Sequence, residues 1–111
     1  MDFTKYIGIA YPPPHGCLTF VSQLLRDEYG RPVPDDITER AAEVLQHRLA
    51  PVETPAEGDV LLIKANQWHV ALVLAGGMMI HAAPPDGTVM IERYDGLQWK
   101  ARTRGFYRWI S

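Results

Sequence analysis

A chain of 111 residues, 47% of them hydrophobic, is long enough to bury one compact core and too short for two. Eleven basic against thirteen acidic residues give a formal charge of -2 with no long run of either sign, which excludes the footprint of a nucleic-acid binder. A lone cysteine excludes an internal disulfide and, without a CxxC pair, makes a poor zinc framework, and no stretch reaches the roughly 20 apolar residues that span a bilayer.

The opening residues, Met1 to Tyr6, lack the charged region and long apolar core of a signal peptide. The chain is therefore expected to be made in the cytoplasm and, if it acts outside, to be carried there by something else. Residues 2–10 predict a short helical turn capped by Asp2 or Thr4, with Phe3, Tyr6 and Ile7 on one side. Pro12, Pro13 and Pro14 stop that turn, because each fixes its own φ and restricts the residue before it. They read as a rigid connector more readily than as a polyproline ligand.

The connector delivers Cys17 into a predicted helix. Positions 17, 20, 21, 24 and 25 recur with the spacing of one helix face, Leu18 and Tyr29 broaden it, and Gly30 with Pro32 stops it. Cys17 thus sits at or just inside a helix N-terminus, where unpaired N–H groups and the dipole favour a thiolate. A second helix is expected from Asp35 or Asp36, with Glu39 completing a capping box, through Ile37, Ala41, Val44, Leu45 and Leu49 to just before Pro51. His47 on it reads as a surface residue, and residues 51–58 read as a loop.

After Gly58 the pattern turns extended. Strands are predicted over 59–63, 68–74, 78–82, 88–92 and 105–110, with turns at 65–67, at Gly76-Gly77 and at 84–87, while 94–99 stays ambiguous. Helices first and a mostly antiparallel sheet after them make an α+β domain spanning residues 1–111.

A cysteine at a helix start, a histidine on a strand and a polar group on the neighbouring strand are the parts of a thiol nucleophile with its base. His69 and His81 fit the last two places. Their midpoint is residue 75, beside the predicted turn, so a hairpin brings them close to directly opposite one another. Alternation puts His69 on one face with Ala71 and Val73, and His81 on one face with Met79, so both rings point into packed surroundings and need partners. Each residue also has a plainer reading: Cys17 as an inert core thiol, the histidines as hydrogen-bonded structural groups. Occurring together in this order, they favour chemistry. His15 is a rival base without an evident orienting partner, and Met78 and Met79 read as filler.

Tyr6 to Tyr11, Gly16-Cys17-Leu18-Thr19-Phe20-Val21, Gly58-Asp59-Val60-Leu61-Leu62-Ile63, His69 to Leu74 and Ile80-His81-Ala82 together resemble the NlpC/P60 family of cysteine peptidases, most like its phage-tail and prophage members. The resemblance implies a papain-like α+β core, with N-terminal helices packed on the sheet, and a cofactor-free hydrolase. Its partners would be peptidoglycan stem peptides, cut at the bond between γ-D-glutamate and a diamino acid, and phage tail proteins. By motif, Cys17 matches the nucleophile, His69 its base and His81 the orienting group, while Tyr11 matches a tyrosine that helps the oxyanion site or the substrate. The chain departs from the family at Gly16, where aspartate is usual, at Leu18-Thr19, where Ser-Gly is frequent, and at Ala71, where glycine is usual. Two other readings stay open: the same triad acting on a non-wall acyl or amide substrate, and a catalytically silent subunit of a tail-like assembly.

Overall fold

The apolar stripe at 17–25 folds as helix α1, Gly16–Asp27, and buries Phe20, Val21, Leu24 and Leu25. Gly30, at φ +63°, turns the chain out of the helix; its N–H donates to the Arg26 carbonyl and that of Arg31 to the Leu25 carbonyl. This is a computed structural model, and it describes residues 2–33, 45–64 and 67–110. The expected start of a second helix at Asp35 or Asp36, with Glu39, lies outside the described residues, as does most of the turn at 65–67; residues 45–48 are helical.

The strands are β1 (Leu49–Val52), β2 (Val60–Lys64), β3 (Trp68–Leu74), β4 (Met78–Ala83), β5 (Thr88–Arg93) and β6 (Thr103–Trp109), and a short helix α2 (Leu97–Lys100) precedes the last. They form a six-stranded sheet in the order β1-β6-β2-β3-β4-β5, with each neighbouring pair antiparallel. Helix α1 packs on one face, against Val60, Leu72, Ile80, Ala82 and Val89. The opposite face is apolar too: Leu61, Ile63, Ala71, Val73 and Met79 pack with Trp99 of α2. Burial on both faces explains why β2 and β3 read as nearly unbroken apolar runs.

Three expectations change. Leu49 and Ala50 end no helix and Pro51-Val52 is not loop: together they form β1, pairing Leu49↔Trp109 through Val52↔Phe106. Four residues with an exposed proline carry no alternation to read, and the pairing comes from the free edge of β6, where Pro51 is tolerated because β1 is itself an edge. The N-terminal turn is a 3-10 turn, Thr4–Tyr6, with Asp2 Oδ1 accepting from the Thr4 N–H at 2.9 Å; Phe3 and Tyr6 are buried but Ile7 is exposed. The ambiguous stretch supplies α2.

Beyond Ile7 the chain runs as a strap along β5. The Gly8 N–H donates to the Val89 carbonyl, the Val89 N–H to the Ile9 carbonyl, and the Tyr11 N–H to the Gly87 carbonyl. The strap carries the proline loop to the start of α1. At the other end of the sheet, Arg108 on β6 donates through Nε and Nη2 to the two carboxylate oxygens of Asp59, each at 3.0 Å, and Asp59 also accepts from the Ala56 N–H at 2.7 Å. Asp59 is buried, so this bidentate pair clamps β6 to the start of β2.

Removing the arginine strands a buried carboxylate, whereas removing the acid lets the half-exposed arginine rehydrate. Arg108→Ala is therefore expected to lower the unfolding free energy, measured in urea, by more than Asp59→Ala does.

Candidate active site

Cys17 occupies the second residue of α1, half-buried, and α1 starts with no side chain capping its first N–H groups. Its place is set by the backbone before it. A Cβ on Gly16 would land on the Tyr11 carbonyl oxygen, and so would one on Gly87, whose φ is +82°. The Tyr11 carbonyl is thus gripped between the helix start and the β4–β5 turn, and only glycine fits on either side. This accounts for Gly16 where aspartate was the usual residue.

Cys17 lines a cleft of about 420 Å³ together with Tyr11, Gly16 and His69. Pro13, Pro14, Pro84 and Pro85 wall one part of it, Trp68 and Arg102 another. Trp68, 58% exposed, offers a free aromatic surface at the rim. A second recess of about 350 Å³, lined by Asp2, Phe3, Glu57 and Met78 among others, holds neither cysteine nor histidine.

His69, 8% exposed, stands near the start of β3 on the face away from α1. Its Nε2 lies 2.7 Å from Nδ1 of His81, which is fully buried. The β3–β4 hairpin pairs Leu72↔Ile80, Val73↔Met79 and Leu74↔Met78, so it centres on Gly76, one residue later than the midpoint of the two histidines. The rings consequently meet on the diagonal instead of directly across, which the length of an imidazole spans. Gly76 and Gly77 both take positive φ, as the connection expected there requires.

Two further residues, which the sequence motifs do not include, complete this cluster. His81 Nε2 donates to Glu92 Oε2 at 2.7 Å. Glu92 pairs with Met79 across β4–β5, on the face shared by His81, and a turn centred between Pro85 and Asp86 was signal enough to place it there. Trp99, from the ambiguous stretch, stacks on His69 with ring centroids 6.2 Å apart and meets His81 edge-on at 5.2 Å. Its Nε1 is buried without a partner among the described residues, so packing alone orients it.

Of the other residues singled out, Tyr11 reaches the cleft, but its hydroxyl donates to Gln23 Oε1 at 2.6 Å, along the helix flank. His15 is exposed just before α1 and contributes its carbonyl to the Thr19 N–H and hydroxyl. His47 is exposed, as expected.

Burial, then the neighbouring His81, pushes the His69 pKa from 6.5 down to about 4. His81 is also lowered, by burial, against the opposing pull of Glu92. Both rings are thus neutral near pH 7, and a neutral imidazole can accept a proton.

Because the folded-state pKa of His69 lies below its unfolded value, its contribution to stability is full above pH 6.5 and is lost as pH falls toward 4. That loss should reach roughly 3 kcal/mol in denaturant titrations at the two limits. Trp99→Ala, by admitting water, should move the His69 titration up toward 6.5 in NMR. Gly16→Asp should cost about 2 kcal/mol or more by displacing the Tyr11 carbonyl, visible as a lowered melting temperature.

The model of the NlpC/P60 family matches residues 8–108. Among solved structures the chain is similar to the NlpC/p60 domain of the peptidoglycan hydrolase SagA, at 27% identity and a TM-score of 0.62, over 94% of this chain and 90% of that one. No curated protein matches the chain. The matched span takes in the strap, α1 and all three strands that carry His69, His81 and Glu92, and the chain belongs to the NlpC/P60 family.

Proposed function

We propose that the chain is a cysteine endopeptidase that hydrolyses peptidoglycan stem peptides at the bond between γ-D-glutamate and a diamino acid. The observation that carries the reading is that Cys17, at the uncapped start of α1, and His69, backed by His81, line one cleft. The similarity to the NlpC/p60 domain of a peptidoglycan hydrolase supports the substrate class.

In the proposed cycle the sulfur of Cys17 attacks the amide carbonyl carbon while His69 takes the thiol proton. The tetrahedral oxyanion is met by the free N–H groups at the helix start, where one such donor contributes about 3 kcal/mol in related acyl transfer. His69 then gives its proton to the leaving amine, and a thioester to Cys17 remains. Water, deprotonated by His69, attacks the thioester, and the departing thiolate recovers that proton, which restores the free enzyme. His81 keeps His69 in place throughout. Tyr11 serves as a wall for the substrate, since its hydroxyl is engaged by Gln23.

A phage-tail or prophage setting, with delivery from the cytoplasm to the cell wall, belongs to the same proposal and is supported by the sequence resemblance. Digestion of purified muropeptides, read by mass spectrometry, should release new fragments with the wild type and none with Cys17→Ala. Identical products from both proteins would remove Cys17 from the role of nucleophile.

A further inference from the structure

The mechanism above leaves one buried contact unused. Glu92, on β5, lies behind His81 on the side away from His69 and is the only carboxylate hydrogen-bonded to either ring among the described residues. Its side chain is 24% exposed, while the ring it contacts is fully buried.

The hydrogens along this line can be assigned in sequence. A carboxylate has only acceptors, so the 2.7 Å contact requires a proton on Nε2 of His81. A neutral His81 protonated at Nε2 has only a lone pair at Nδ1, which must accept across the 2.7 Å gap to His69. The donor there is Nε2–H of His69. A neutral His69 protonated at Nε2 in turn leaves its Nδ1 as a lone pair, and Nδ1 is the ring nitrogen not engaged by His81. His69 lines the cleft with Cys17, so this is the nitrogen left to face the thiol.

We propose that Glu92 is a positioning residue that sets the tautomer of His69 through His81, so that the base presents an unprotonated Nδ1 to the cleft. The proposal rests on the reading of His69 as the base for Cys17. Without an acceptor at position 92, His81 is free to carry its proton on either nitrogen. With that proton on Nδ1, His81 donates to His69, whose Nε2 must then be the lone pair and whose proton moves to Nδ1, where it blocks removal of the thiol proton. Trp99 reinforces the arrangement by covering both rings, which keeps water from offering substitute partners. The chain of three groups needs no metal and no net charge on either ring.

Nitrogen-15 imidazole spectra of histidine-labelled protein near pH 7 read the tautomers directly, independently of turnover. The wild type should show His69 and His81 both protonated at Nε2. Glu92→Gln, whose amide can accept from Nε2 of His81 or donate to it, should hold the tautomers less firmly than the wild type and keep more activity than Glu92→Leu. Glu92→Leu should mix them and lower kcat on stem peptides about tenfold or more, with KM within about twofold. A wild-type His69 protonated at Nδ1 would overturn the proposal, as would Glu92→Leu with unchanged tautomers or unchanged kcat. If the wild type shows the expected tautomers but cleaves no peptide, the wiring through Glu92 stands and the hydrolytic role of the site is what fails.

Discussion

Two imidazole rings joined nitrogen to nitrogen inside an apolar layer place a demand on everything around them. His81 has no water to fall back on, so its contact with His69 persists only if the strands hold the rings within reach and a further group satisfies His81 from behind. The β3–β4 hairpin supplies the reach through its register, β5 supplies Glu92, and α2 supplies the indole that closes the layer. An imidazole pair in this setting is kept neutral by its burial, which is the state a proton acceptor needs near pH 7. Under the proposed function, the apolar second face of the sheet serves the chemistry as well as folding.

The thiol arrives from the other face. Helix α1 packs on the side opposite the histidines, and its first turn reaches the end of the sheet where that side can meet the other. The alignment is governed by backbone contact: the Tyr11 carbonyl fills the space where Gly16 and Gly87 lack side chains, so strap, helix and the β4–β5 turn converge on one point. This gives physical meaning to the departure from the usual family sequence beside the cysteine. The residue before Cys17 accommodates a carbonyl group, and an acidic side chain has no room there.

Much of this was legible in the amino-acid pattern where a period was long enough to count. The helix over 16–27 follows from five apolar positions at one spacing, and β3 and β4 from their apolar runs and the two glycines between them. The pairing of His69 with His81 was legible to within one residue, because the tip of the hairpin, centred on Gly76, decides between a direct and a diagonal contact. Glu92 was within reach of the same reasoning once the β4–β5 turn was placed. By contrast β1 and α2 were hidden: one is four residues held by pairing with a strand more than fifty positions away, the other a single turn that packs onto rings contributed by other strands.

Local pattern supplies the inventory: one thiol at a helix start, two histidines on adjacent strands facing inward, and an α+β order of elements. These follow from local rules, the periods of helix and strand and the restrictions of proline and glycine, which act between residues near in the chain. Folding in three dimensions settles the rest: the diagonal contact of the two rings, the cover that Trp99 gives them, and the turn of the Tyr11 hydroxyl to Gln23. Those outcomes depend on register and on packing between distant segments, and a shift of a single residue in a strand exchanges its faces, so no local pattern can contain them.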